Sequence, residues 1–243
     1  MVERVVARRD DDMTARTGRT GRPPSTSRAQ ILAGARELID QVGWEKMTIR
    51  RLAAHLGVGA ATLYSHVRDR EDLLVQLLNA QAAATPRPEM PDEPVERILV
   101  AATAIHDSLS SAPWAAEVLI ADDLVGEDSL WMVEAIVASA IDCGLTRTAA
   151  ADLYRAIWYF TAGEILVRSH STRRDRDRQR PNYRDSIFED LDPTQLPVLA
   201  SFADEWPSLA RRDVYQAGLR ALTEGLLEQG SASSRERGGV TDG

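Results

Sequence analysis

Apolar positions recur at helical spacing along most of this chain. Ile31, Leu32, Ala35, Leu38, Ile39 and Val42 repeat every three to four residues, which predicts an amphipathic helix after a Ser27 or Thr26 cap and before Gly43. Thr48 precedes a second pattern, "IRRLAAHL", with Ile49, Leu52, Ala53 and Leu56 on one face. Gly57 then predicts a left-handed stop. A short third helix starts near Gly59. At about 100° per residue its wheel turns Ala60, Leu63 and Val67 inward and Ala61, Thr62 and Ser65 outward, with Tyr64 and His66 on the flanks. Asp69 caps a fourth helix, "REDLLVQLLNAQAAA", with Asp72 three positions on as the partner of a capping box.

A proline-rich linker, "TPRPEMPDEP", covers 85–94. Beyond it the pattern predicts helices over about 95–111, 113–123, 128–143, 146–169, 193–204 and 211–229. A polar loop, "STRRDRDRQRPNYRDS", interrupts them, and the tail from residue 231 is expected to be disordered. No strand alternation, repeat or metal-ligand spacing occurs. The predicted fold is all-α: a flexible arm (1–25), a three-helix helix-turn-helix head (26–70), a helical body (71–230) and a tail (231–243).

Charge sharpens this division. The net charge is −8, yet residues 14–70 hold ten Lys+Arg against four Asp+Glu, a balance of +6 that leaves −14 for the rest. A basic head on an acidic body suggests a head that meets a polyanion. A short helix with small and hydroxyl groups at its centre suits a DNA major groove, and Arg50 can reach a base edge or phosphate. In the arm "TGRTGRPP", Arg19 and Arg22 are candidates for a narrow minor groove, beside the alternative of an unengaged tail.

The stretch "TIRRLAAHLGVGAATLYSHVRDREDLL" resembles the DNA-binding signature of the tetracycline-repressor (TetR) family over residues 27–80, and "VYQAGLRALTEGLLEQ" is loosely similar to its last dimerisation helix. The resemblance implies DNA contacts at Thr48, Arg50, Thr62, Tyr64, His66 and Arg70, with Ala60, Ala61 and Ser65 on the same surface. It also implies a homodimer bound to a two-fold-symmetric operator, with a ligand pocket in each body. Ala60 stands where the family can carry a base-reading Gln, and Ala61 where Pro is frequent. Bidentate amide readout of adenine is therefore absent, and specificity must rest on Arg50, thymine-methyl contacts or DNA shape.

In the body, Gly218, Ala221 and Gly225 form a small-residue row beside Leu219, Leu222 and Leu226. The helix holding Leu153, Ile157 and Phe160 is apolar over most of its circumference. These residues are the candidate dimer interface, with a buried monomer core as the bland alternative. Trp114, Trp131 and Trp158, with Thr103, His106, Glu117 and Thr161, are candidates for lining a largely apolar pocket, although aromatics at helical spacing more often form core.

Cys143 is the sole cysteine, no apolar run reaches membrane length and no signal-peptide pattern opens the chain, so a cytoplasmic location is expected. No phosphate loop, nucleophile motif or cofactor motif appears, so neither an enzyme nor a cofactor is expected. A ligand-released repressor leads the readings. An activator, a ligand-independent DNA-binding protein and, remotely, a small helical enzyme stand beside it.

Overall fold

The computed structural model describes residues 26–122, 124–176, 187–188 and 191–238. Helix α1 spans Arg28–Val42. Ser27 accepts from the Gln30 N–H while Gln30 reaches back to the Ser27 N–H, so two orphan donors of the first turn are satisfied. Ile31, Ala35, Leu38 and Ile39 are buried along one stripe. Helix α2 spans Ile49–Leu56 under the Thr48 cap. It ends at Gly57, whose φ of 66° and ψ of 29° lie in the left-handed region where a Cβ is penalised. Helix α3 is a single short segment, Ala60–Tyr64. Together α1 to α3 make the helix-turn-helix head.

Helix α4 (Arg70–Ala84) leaves the head and enters the body. Its Leu73, Leu74, Leu77 and Leu78 are buried in one continuous core that extends from Ile31 to Leu227. The body adds α5 (Pro94–Ser110), α6 (Pro113–Ala121), a 3-10 turn (Glu127–Ser129), α7 (Leu130–Asp142) and α8 (Arg147–Arg176). Short turns α9 (Pro197–Ala200) and α10 (Trp206–Leu209) precede the last helix, α11 (Tyr215–Gly238). Helix α5 packs on α7, α8 and α11, and α8 also packs on α11. Among the described residues there is no strand.

The largest departures from the sequence expectation lie in α8, α11 and the segment between them. Helix α8 continues to Arg176, past the expected loop start at Ser171; "STRRDR" holds three arginines, which favour helix, and no Gly or Pro to end it. Helix α11 likewise runs through Ser231–Gly238, part of the expected disordered tail, which is free of proline. The helix expected over 193–204 is instead one short turn, Pro197–Ala200, with a second, Trp206–Leu209, beyond it: Pro197 and Pro207 each sit where a helix begins, and neither can continue one.

Candidate functional site

The outer surface of the head is built by anchoring a few residues and freeing the rest. Leu63 is 0% exposed and Val67 2%, so the recognition segment is pinned from beneath. Tyr64 is 56% exposed, and Ala60, Ala61, Ser65 and His66 are exposed beside a half-buried Thr62. The helix closes at Tyr64, and the Ser65 hydroxyl donates to the Thr62 carbonyl at 2.7 Å. His66 therefore stands in the turn after the helix, its N–H held by the Leu63 carbonyl. Thr48 accepts from the Arg51 N–H, which leaves its hydroxyl proton free to donate outward. Arg50 is exposed in the first turn of α2. The surface thus offers hydroxyl, phenol, imidazole and guanidinium groups around a small-residue centre. Arg19 and Arg22 lie outside the described residues.

Arg70 requires a correction. The sequence places it at the DNA; the structure turns it inward. Its Nε and Nη2 donate to the Met47 and Trp44 carbonyls, both at 3.1 Å, and Nη1 lies 3.4 Å from the Asp122 carboxylate. The guanidinium also sits 5.3 Å from the Trp44 ring centre. Arg70 begins α4, and the α1–α2 loop carries two carbonyls that α2 does not use, so the loop captures the side chain. Asp72 also departs from expectation. Its carboxylate accepts from the Arg68 N–H at 2.9 Å and from Gln76, rather than closing a capping box on Asp69. The Arg68 N–H, opposed by partial burial, holds this carboxyl below its ordinary pKa.

Further ties cross from head to body. The Trp44 indole N–H donates to Glu117 of α6 at 2.9 Å. Arg28 donates to Gln76, whose amide in turn donates to the His66 carbonyl. Arg36 of α1 donates to the Gln81 side-chain oxygen at 2.5 Å. Gln81 is 6% exposed, and its amide nitrogen donates to the Ser108 carbonyl at 2.8 Å and the Ser111 hydroxyl at 2.9 Å. One α4 side chain therefore fastens α1 to α5.

Gln81 also lines a partly open cavity of about 280 Å³ whose walls come from α4 to α8. Leu78, Ile105, Leu109, Leu119 and Met132 supply apolar wall, and Tyr154 and Trp158 stand one turn apart on α8. Of the seven expected pocket residues, Trp158 alone lines this cavity. Thr103 lines a separate, open groove between α5 and α11. Glu117 receives Trp44, and Trp114 is 4% exposed beneath Arg36. Trp131 packs under Arg87 at 4.8 Å. His106 joins Glu164 at 3.0 Å and stacks on Tyr215 at 3.8 Å between ring centres. Thr161 bonds the Tyr215 hydroxyl at 2.9 Å, and burial pushes that phenol up to about 12. His106 and Thr161 thus tie α5, α8 and α11 together rather than face a ligand. Gln81 and Tyr154 are absent from the sequence expectation. A glutamine within the apolar stripe of α4 is the signal that marks the first; Tyr154 gives none.

The expected dimer residues also divide. Leu153 and Ile157 are each 1% exposed in their own protomer and cannot reach a partner. A Cβ on Gly218 would lie 2.7 Å from the Phe160 ring, so Gly218 admits the chain's own Phe160, which stacks on Tyr215. Ala221 is exposed, Leu222 is half-buried, and a Cβ on Gly225 would meet nothing within 4 Å. On α8 the outward residues include Tyr159 and Val167, 61% and 62% exposed. The outer faces of α8 and α11 together present small and apolar groups.

A helix-turn-helix head on an all-helical body with an internal cavity defines a class: one-component regulators that join a DNA-binding unit to a sensing unit. Family models place the chain within it. The model described as bacterial regulatory proteins, tetR family, matches residues 31–77, and that for the tetracyclin repressor-like C-terminal domain matches residues 87–229. The chain belongs to the TetR family of transcriptional regulators. It is 24% identical over 222 residues to the HTH-type transcriptional repressor Rv1353c of Mycobacterium tuberculosis, covering 85% of this chain and 83% of that one. It is 24% identical over 204 residues to the class A tetracycline repressor of transposon 1721 from Escherichia coli, covering 82% and 89%. Among solved structures, apo ActR of Streptomyces coelicolor superposes with a TM-score of 0.68 at 21% identity, over 86% of this chain and 98% of that one. Among the described residues no helix is long and apolar enough to cross a membrane.

Proposed function

We propose that the chain is a homodimeric repressor, acting in the cytoplasm, that leaves a two-fold-symmetric operator when a small, largely apolar molecule fills the body cavity. The observation that carries this reading is Gln81. The same side chain lines the cavity and holds Arg36 of the head. A ligand that displaces Gln81 or the Ser108 turn therefore has a direct route to α1. Helix α4 transmits the rest, since its leucines lie in the body core and Arg70 at its start grips the α1–α2 loop. Major grooves on one face of DNA recur at about 34–36 Å, so a few ångströms of tilt in each protomer lowers affinity without unfolding. The free energy available is the ligand's differential affinity for the two states.

DNA contact is assigned to Thr48, Arg50, Ala60, Ala61, Thr62, Tyr64, Ser65 and His66. The dimer face is assigned to the outward sides of α8 and α11, including Tyr159, Val167, Ala221 and Gly225. The named repressor function of the mycobacterial relative supports the regulatory direction, and the ActR complex with actinorhodin shows that a protein of this fold holds a small molecule.

Selection of bound duplexes from a random library, followed by footprinting, tests the DNA reading. The expected product is a symmetric site occupied by one dimer; asymmetric sites bound by monomers defeat the proposal. A screen for operator release then supplies ligands. Gln81→Met keeps the side-chain length and removes both amide functions. It should leave ligand binding in place while reducing ligand-driven release, a coupling normally about 5–150-fold, toward none. Full release by Gln81→Met would show that the signal takes another route.

A further inference from the structure

The cavity's polar groups are unequal. Gln81 uses its amide nitrogen on Ser108 and Ser111 and its oxygen on Arg36. The Ser129 hydroxyl donates to the Gly126 carbonyl, and Ser108 shares a hydrogen bond with Thr85. None of the described residues lining the cavity carries a charge. Tyr154 and Trp158 differ from the others: each is half-buried, each lines the cavity from α8, and neither the phenol nor the indole N–H has a hydrogen-bond partner among the described residues. Burial raises the Tyr154 pKa, so the phenol stays protonated and available as a donor.

Such a lining treats ligand classes differently. A carboxylate or ammonium entering it would lose hydration and meet no opposite charge, which is costly. A hydrocarbon would fit but would leave the α8 donors unpaired. An uncharged molecule with a carbonyl or ether oxygen fills the apolar wall and accepts from Tyr154 or Trp158. A volume of about 280 Å³ lies at the low end of ligand pockets, so the molecule is compact.

We propose that the cavity selects compact, uncharged, largely apolar molecules carrying a hydrogen-bond acceptor, that it discriminates against anions, and that Tyr154 is the residue that reads the acceptor. This rests on the reading of the cavity as the effector site, but its test contains no DNA. A protein that binds as described yet never releases an operator would refute the regulatory reading and leave this one standing.

Three probes of similar shape separate the classes by calorimetry on the full chain: methyl naphthyl ketone, ethylnaphthalene and naphthoate. The ketone should bind most tightly, ethylnaphthalene several-fold more weakly, and naphthoate at least about tenfold more weakly than the ketone, a lower bound because a desolvated carboxylate left unpaired costs more than that factor. Tyr154→Phe should remove most of the advantage of the ketone over ethylnaphthalene and leave ethylnaphthalene unchanged. Val133→Trp, which fills the cavity from α7, should abolish binding of all three and so locates the site. The proposal is overturned if naphthoate matches the ketone, if Tyr154→Phe weakens ketone and hydrocarbon equally, or if Val133→Trp leaves ketone binding intact.

Discussion

Arg50 and Arg70 both lie in the first turn of a helix in the same basic head, and they do opposite things. Arg50 projects from the surface of α2. Arg70 is spent on two backbone carbonyls, an aromatic face and Asp122. The contrast extends to the regions around them. The outer surface of α2 and α3 keeps several polar side chains unsatisfied, as a surface awaiting phosphates and base edges must. The layer where α1, α4 and α6 meet uses the same residue types with their bonds already made: Trp44 to Glu117, Arg36 to Gln81, Arg28 to Gln76. Binding requires groups with bonds left to make. Transmission requires groups whose bonds must break or shift together.

The largest effect that separates the two regions should come from Arg70→Met. It keeps the stem and removes three polar contacts, two of them to backbone carbonyls. The expected loss is about 2–3 kcal/mol of unfolding free energy, read by urea denaturation. Asp122→Asn should cost under about 1 kcal/mol, because that pair is partly exposed at 3.4 Å. Where the Arg70→Met protein is still folded, the salt dependence of its operator binding should match wild type. A slope lower by about 1.8 per bound dimer, about 0.9 for each protomer, would mean that Arg70 does neutralise a phosphate.

Arg50→Ala should show the reverse pattern: stability within about 0.5 kcal/mol of wild type and an operator affinity lower by about 1–3 kcal/mol per half-site. If Arg50 reads a base, preference relaxes at one position per half-site. Tyr64→Ala should instead weaken selected and random duplexes alike, as the loss of a flanking phosphate contact does. Competition binding with both duplex pools decides it. Equal losses on both pools for both variants would remove Arg50 from direct readout.

Much of the head is legible from pattern alone, because local rules act there without competition. Ser27, Thr48 and Asp69 cap the helices they precede, Gly57 adopts the conformation its position demands, and Leu63 and Val67 point inward as the wheel requires, whereas Ala60, which the same wheel turns inward, is exposed at the start of α3. Arg70 escapes the same reasoning because its direction is set by carbonyls of a loop some twenty residues earlier in the chain. In the body the limit is different. An apolar circumference says that α8 is surrounded, not by what. Leu153 and Ile157 meet the chain's own core, while Tyr159 and Val167 keep the outward arc. Aromatic residues mark burial equally in a core, a belt or a cavity wall, so Trp114, Trp131 and Trp158 read alike in sequence and occupy three environments. Gln81 is the exception: polar, in an apolar stripe, with a reason to be there.

The smallest effect concerns Asp72, the acid at the seam between the two regions. Its carboxylate accepts from the Arg68 N–H and from Gln76, the residue that also holds Arg28 and the His66 carbonyl. The Arg68 bond lowers its pKa in the folded state, against the opposing pull of desolvation. A carboxyl lowered on folding stabilises above its unfolded pKa, near 3.9 for aspartate. That contribution is lost as pH falls through the lower folded value. Asp72→Asn can still accept one N–H bond but cannot titrate. The variant should therefore be less stable than wild type at neutral pH by under about 1 kcal/mol, since the group is solvent-screened. The difference should shrink as acid is added below the ordinary aspartate range. Denaturant unfolding of both proteins across a pH series measures this. A gap that stays constant into acid would mean that Asp72 holds the seam by geometry alone and not by charge, which would place it with the polar ties of Gln76 and Gln81 rather than with the ionic grip of Arg70.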